Sequence, residues 1–420
     1  MAVSTFTWLD HHDEDAQRVR EALGAFDDKG MIDPLGFGPV RDALSDILFP
    51  GISTIQTRAR YFLLVPWIYR SLDDEGIGPH DGARVARERE LAVIEALLRG
   101  GDDHDGIIGR FARQATKQLP SFVYWGGLGT WGVRRFDGSR YDYMASLGAR
   151  RLLRRSRTVN VDGVGDGDSP GSGAEPWHPG LPPQPDDLYD AATLDLTPDE
   201  ALFLQGRILD TVPDTYLALL VRDGRSDQSA DMPWQHPLAP AAPPNLRRQL
   251  DHAGLFSLAA WGAGLVYNLE LSRLLEHDGG EPLPADYSAD VEKWTEAMAE
   301  QGDQYAAWDR RDFWRLILAE NPRVPGSVRR FVDWWLDLAV EHALGRATAH
   351  NDVTASRRIR DELRNREAAI KGPRAKLANR RARERSPGAQ GDVQLGFRWR
   401  QVGRVIGDIQ RGLESDAQPA

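Results

Sequence analysis

Cysteine is absent from the 420 residues. That excludes a disulfide scaffold, Cys-based zinc ribbons, iron–sulfur clusters and thiol catalysis. Long apolar runs are missing too. No window approaches the ~18 uninterrupted apolar residues of a membrane-spanning helix. The opening MAVSTFTWLDHHDED has neither the basic n-region nor the apolar stretch of a secretory signal. A cytoplasmic protein without membrane contact is expected. Short catalytic signatures are also lacking: there is no GxSxG elbow, no HExxH and no GxxxxGK[ST] P-loop. No catalytic residue, metal ligand or cofactor is therefore assigned, and a non-enzyme is favoured. Lysine is scarce, at five of the 52 cations. Because genomic base composition contributes to such a bias, the clustering of arginine carries the argument rather than the choice of it.

What is present is core-forming material. Apolar residues make up 41% and charged residues 27%, with 13 Trp, which is the profile of a folded chain with a substantial interior. Its length suits two to four domains of roughly 100–200 residues each. Apolar residues recur mostly at helical spacing: Val19, Leu23 and Phe26; Leu91, Ile94 and Leu98; Val291, Trp294 and Met298 after a Ser288 cap; Val328, Phe331, Trp335 and Leu338; Val402, Ile406, Ile409 and Leu413. Thr197-Pro198-Asp199-Glu200 predicts a helix start with a capping box. Residues 255–275 are long, apolar and little charged, and predict a buried helix. Residues 122–125 and 133–136 flank a Gly-rich turn and predict a β-hairpin. The fold class expected is mainly α, in bundle-like helical domains with one small hairpin. Composition divides the chain into a helical domain at 1–159, a flexible Gly/Pro/Asp-rich linker at 160–187, a helical domain at 188–355 with an inserted loop at 222–245, and a basic helical segment at 356–420.

The formal charge of −11 hides an asymmetry. Residues 357–385 hold 12 Arg/Lys and four acids, a balance of +8, so the remaining residues carry −19. Within that stretch Ile359, Leu363 and Ile370 are expected on one apolar face ahead of Gly372-Pro373, and Leu377 extends the pattern into a second short helix. An apolar edge with a cationic surface suits phosphate-backbone contact. The candidate nucleic-acid-binding residues are Arg357, Arg358, Arg360, Arg364, Arg374, Lys376, Arg380, Arg381, Arg383 and Arg385. The competing reading is ion pairing with the acidic remainder of the chain or with a protein partner.

Three other constellations each have two readings. Arg58 and Arg60 follow a Ser53/Gln56 capping box in an apolar helix kinked by Pro66. They form either an anion site or internal ion pairs with acids such as Asp42 or Asp46. Gly127-Leu128-Gly129-Thr130-Trp131-Gly132 matches GxGxxG without the helix that a dinucleotide site needs after it. Its neighbours Tyr124, Trp125 and Trp131 serve either as core or as surfaces on which bases stack. His11-His12-Asp13-Glu14-Asp15 and Asp102-Asp103-His104-Asp105 contain metal-ligand residue types, but adjacent residues rarely converge on one ion unaided.

FPGISTIQTRARYFLLVPWIYR (49–70) resembles the signature of the bacterial domain-of-unknown-function family 6361. FTWLD (6–10), PSFVYWGGLGTWGVRRF (120–136), HAGLFSLAAWGAGLVYNLEL (252–271) and FRWRQVGRVIGDI (397–409) resemble that family as well. The resemblance spans most of the chain and carries no activity onto any residue. It implies a place beside helicase-like and nuclease-like genes in bacterial defence islands, hence a component of a multi-gene anti-phage system with protein partners from the same operon. The function expected is a non-catalytic adaptor that binds nucleic acid, DNA among the candidates, through 357–385. The alternatives are a protein–protein scaffold or regulator without nucleic-acid contact, and a metal-dependent nuclease.

Overall fold

The computed structural model describes residues 33–101, 103–160, 175–348, 352–385 and 388–415, with backbone only for 154–160. The stripe at Val19, Leu23 and Phe26 and the cluster His11–Asp15 lie outside the described residues. So do residues 161–174 of the expected linker.

The chain forms two compact units, each assembled from separated stretches. One comprises Phe49–Ala230 and the segment from Arg398; the other comprises the segment ending at Leu48 and Asp231–Phe397. The crossings at 48/49, 230/231 and 397/398 do not coincide with the breaks in composition at 160–187 or at 355/356.

Fifteen α-helices account for the architecture among the described residues. In the first unit they are α2 (Tyr61–Asp74), α3 (Pro79–Arg99), α4 (Pro120–Thr130), α5 (Arg140–Asn160), α6 (Pro198–Thr211), α7 (Tyr216–Asp223) and α15 (Trp399–Glu414). Helix α2 is apolar and lies in the middle of the unit, against α3, α4 and α5. Helix α15 packs along α6 and α7. Its apolar face is the expected one, with Val402, Ile406 and Ile409 buried. The Thr197 capping box forms, and Glu200 bonds back to the Thr197 amide. Residues 53–60 are turns rather than helix, and α2 begins at Tyr61 and continues through Pro66. The Gln56 side chain still closes on the Ser53 amide, at 3.2 Å, so the box holds a turn and caps no helix.

No hairpin forms among the described residues: 122–125 lie inside α4. Pro120 occupies the first helical turn, where a missing N–H costs nothing. The Ser121 amide and hydroxyl are both satisfied by buried Glu90 of α3, each at 2.8 Å. The run is apolar on every side, as suits a buried helix. Residues 133–136 are extended, but their partner is distant in sequence. Arg134 bridges Trp177 antiparallel, and the His178 amide donates to Val133 O at 2.8 Å. The second half of the expected linker is therefore built into this unit. Trp177 and Leu181 are buried, and Trp67 donates its indole N–H to Pro182 O at 2.8 Å.

The second unit contains α1 (Gly38–Leu48), α8 (Pro244–His277), α9 (Tyr287–Glu300), α10 (Gly302–Ala307), α11 (Arg310–Glu320), α12 (Gly326–Ala343), α13 (Arg357–Lys371) and α14 (Arg380–Arg385). Its axis is α8, at 34 residues longer than the apolar run alone predicts. Helices α1, α9, α12 and α13 pack on it. Trp294 of α9 and Trp335 of α12 donate to Leu258 O and Ala259 O of α8, at 2.9 and 2.7 Å, so each buried indole satisfies its polar edge. Gly262 permits that approach, because a methyl there would meet the Trp294 ring. Asp286, not Ser288, caps α9.

Candidate functional site

The basic segment belongs to the second unit. Helix α13 turns Ile359, Leu363 and Glu367 inward, all buried. These residues are four apart, so they share one face. Ile370 falls off that face and is exposed. The helix ends where Gly372 takes φ +52°, a conformation that side chains oppose. Ala375, Lys376 and Leu377 then turn inward before α14.

Burial separates the cations into two sets. The inner set is held by the protein. Arg360 and Arg364 flank Glu270 of α8 at 3.7 and 3.6 Å. Desolvation pushes the Glu270 carboxyl upward, opposed by Arg360, Arg364 and Arg273. Arg366 donates to Leu35 O at 2.8 Å and lies 4.9 Å over the Phe331 ring; burial lowers its pKa. Lys371 bonds Gln390 at 2.6 Å. Lys376, only 4% exposed, donates to Gly388 O at 2.8 Å. Its pKa is lowered to about 8, first by burial and then by neighbouring Lys371. Arg383 is buried and bonds Asp278 at 2.6 Å and Lys376 O at 2.6 Å. Lys376 and Arg383 are thus structural cations that the sequence pattern placed on the surface.

The outer set faces solvent. Arg358, Arg374, Arg381 and Arg385 are exposed, and their side chains have neither an ion pair nor a hydrogen bond among the described residues. Arg357 and Arg380 are exposed as well. Each pairs one turn along its own helix, with Asp361 at 3.7 Å and Glu384 at 2.8 Å. Such exposed pairs are screened by solvent and yield readily to a competing anion.

An acid inside the basic run organises the segment. Glu367 is fully buried. It accepts from the Tyr267 hydroxyl at 2.7 Å and from the Leu377 amide at 2.8 Å, with Lys371 3.6 Å away. It ties α13 to α8 and to the turn before α14. Sequence reading missed it as an anchor, although its spacing of four from Leu363 was the available signal.

Arg58 and Arg60 lie in the first unit and are held by its own groups, although the buried Arg60 Nε has no hydrogen-bond partner among the described residues. Arg58 Nε donates to both oxygens of Asp408, at 3.0 and 2.9 Å. Its other nitrogens reach Asp105 O at 3.2 Å and Asp195 at 3.4 Å. Burial lowers the Arg58 pKa, but the bond and charge of Asp408, with Asp195 and Asp103, outweigh it and leave the pKa raised. Arg60 bonds Glu200 at 2.8 Å and Thr193 O at 2.9 Å. The pairs are internal, with partners far along the chain in place of Asp42 and Asp46. Tyr124 closes the same corner, accepting from the Thr57 and Arg58 amides and donating to Arg58 O at 2.9 Å. Trp131 stacks on Phe62 at 3.9 Å, so these aromatics form core. Asp103 and Asp105 face Arg58 and Arg404, at 3.9 and 3.0 Å. No group of His, Asp and Glu with metal-binding geometry occurs among the described residues.

The described segments that carry the family resemblance, 49–70, 120–136, 252–271 and 397–409, thus contribute to the inner framework of the two units. A family model described as "Family of unknown function (DUF6361)" matches residues 3–412. The chain belongs to this family. The DUF6361 match includes Arg58, Tyr124 and Asp408. Comparisons with curated proteins and with solved structures found no match to this DUF6361 chain.

Proposed function

We propose that this protein is a non-catalytic, nucleic-acid-binding adaptor that contacts the phosphate backbone through the outer arginines of 357–385, within a bacterial multi-gene system of the anti-phage kind. The supporting observation is the sorting of the cations. Acids and carbonyls of the same unit hold the inner ones, while Arg358, Arg374, Arg381 and Arg385 stay exposed without a partner among the described residues. Guanidinium groups projecting from a short helical scaffold match phosphates bidentately and read no sequence. The acidic remainder of the chain opposes the approach of a polyanion, so binding is weak for the protein alone and tighter once a partner from the same operon covers acidic surface.

The test is an anisotropy titration of the full chain with duplex DNA at several salt concentrations. With about six arginines on phosphates, log K falls against log salt with a slope of about −5. Replacing Arg358, Arg374, Arg381 and Arg385 together by Ala flattens the slope by about 3–4 units. Equal slopes, or no binding at low salt with the partner present, would leave the scaffold reading in its place.

A further inference from the structure

The loop between α3 and α4, in the first unit, contains a feature that neither the core nor the arginine segment uses. From 106 to 118 it carries Arg110, Arg113 and Lys117 and no acid; Asp103 and Asp105, earlier in the loop, face Arg58 and Arg404, and Arg113 reaches Glu95 of α3 at 3.3 Å, a half-exposed pair that a phosphate can replace. At its tip Phe111 is 89% exposed, although burying such a ring is among the larger gains a side chain can make. The loop is firmly held. The Ile108 amide donates to the Tyr61 hydroxyl oxygen at 2.9 Å, and Arg87 of α3 donates to Thr116 O and Gln114 O at 3.0 and 3.2 Å. Arg113 is held at φ +45°, a conformation that non-glycine residues keep only where the surroundings impose it. A fixed scaffold therefore presents an uncovered aromatic ring.

The surroundings of the ring indicate what it is for. The Arg110 guanidinium lies over one face of the Phe111 ring, 4.6 Å from its centroid, and adds positive charge there while the opposite face stays open. Residues 112–115 are exposed and small or polar, so the adjoining loop residues do not extend the ring into the broad apolar patch that marks a protein-docking surface. One bare π-surface among cations is what an unpaired base and its flanking phosphates require. A duplex hides its base faces in the stack and offers no such contact.

We infer that Phe111 is a stacking platform for a base of single-stranded nucleic acid, with Arg110, Arg113 and Lys117 meeting the adjacent phosphates. The ligand class rests on the nucleic-acid reading above; the residues and the unit are different. The test compares oligothymidylate and a duplex of equal length, each titrated into the full chain. Phe111→Ala weakens single-strand binding roughly 5- to 100-fold, leaves duplex binding within about twofold, and leaves the melting temperature unchanged because the ring is exposed. Phe111→Trp retains single-strand affinity. Undiminished oligothymidylate binding by Phe111→Ala overturns the platform while duplex binding still upholds the outer arginines. Loss of duplex binding alone by the four-Ala arginine variant, with the Phe111 effect intact, separates the two sites. Absence of binding to either ligand at low salt overturns both, and a partner protein displaced by Phe111→Ala would then identify the loop as a docking contact.

Discussion

Arg58 and Asp408 are 350 residues apart in sequence and form a buried ion pair in which one guanidinium nitrogen bonds both carboxylate oxygens. The same carboxylate accepts from the Ala59 amide at 2.9 Å and from Arg411 at 2.5 Å. Asp408 thus fastens the turn ahead of α2 to the last helix of the unit. Its lone pairs are occupied by protein donors, which is the condition under which a buried charge is tolerated.

Removing either partner leaves the other charge buried without its closest counter-charge, with only half-exposed Arg411 to offset Asp408 or the exposed Asp195 and Asp103 to offset Arg58. Arg58→Ala or Asp408→Asn should cost on the order of 3–5 kcal/mol. Urea denaturation at neutral pH checks it: both variants unfold at lower midpoints with unchanged cooperativity, and their folded fraction still binds nucleic acid. A variant of normal stability with lost binding would instead make Arg58 a ligand residue.

The sorting of the arginines predicts that cations of one run fail in different ways. Arg383→Ala strands Asp278 and two carbonyls and should lower the melting temperature while leaving the salt slope near wild type. Arg381→Ala, two residues earlier, should leave the melt unchanged and flatten the slope by about 0.9 if it reaches one phosphate. Thermal melts and salt titrations of the two single variants decide the matter side by side.

Lys376 gives a pH-dependent version of the same distinction. Its folded-state pKa, about 8, lies below the ordinary lysine value of 10.5. The folded state therefore binds fewer protons than the unfolded state across that interval, and stability from this group rises as pH rises from about 8 to 10.5. Below pH 8 the full cost of burying the charge is present. Lys376→Met removes the titration, so the variant compares most favourably with wild type near pH 7 and loses that advantage by pH 10. Denaturation midpoints measured at the two pH values test the sign, and a difference independent of pH would refute it.

Helix periodicity was legible because one period repeats over several turns. The faces of α9 and α15 and the Thr197 box read directly from spacing. The failures share a cause. The α4 region is Gly-rich and apolar all round, so no periodicity distinguishes helix from strand, and the deciding contact with Glu90 is 31 residues away. Likewise the cationic run showed where charge is concentrated. It did not show which cations face inward, since Glu270 and Asp278 approach from α8 and from the turn after it. Composition marked 160–187 as a linker, yet Leu181 within it is buried, and Trp177 and Pro182 are anchored by Tyr143 and Trp67, which lie far away in sequence.

The GxGxxG match can be tested at two adjacent glycines of α4. A methyl on Gly127 would meet Gly51 O, the Phe62 ring at 2.9 Å and Gln56 Nε2 at 3.0 Å, while Gly126 faces open space. In an exposed helical position Gly→Ala gains up to about 1 kcal/mol from lower unfolded-state entropy and better helix propensity. Gly126→Ala should therefore stabilise the protein by up to that amount. At Gly127 the same gain is opposed by overpacking, typically about 1–3 kcal/mol, and by backbone rather than a flexible side-chain end. Gly127→Ala should destabilise on balance. Opposite shifts in melting temperature for two neighbouring glycines would mark 127 as a close-packing site within a helix. Two shifts of the same positive sign would show that the approach of α4 to residue 51 is looser than the geometry described here.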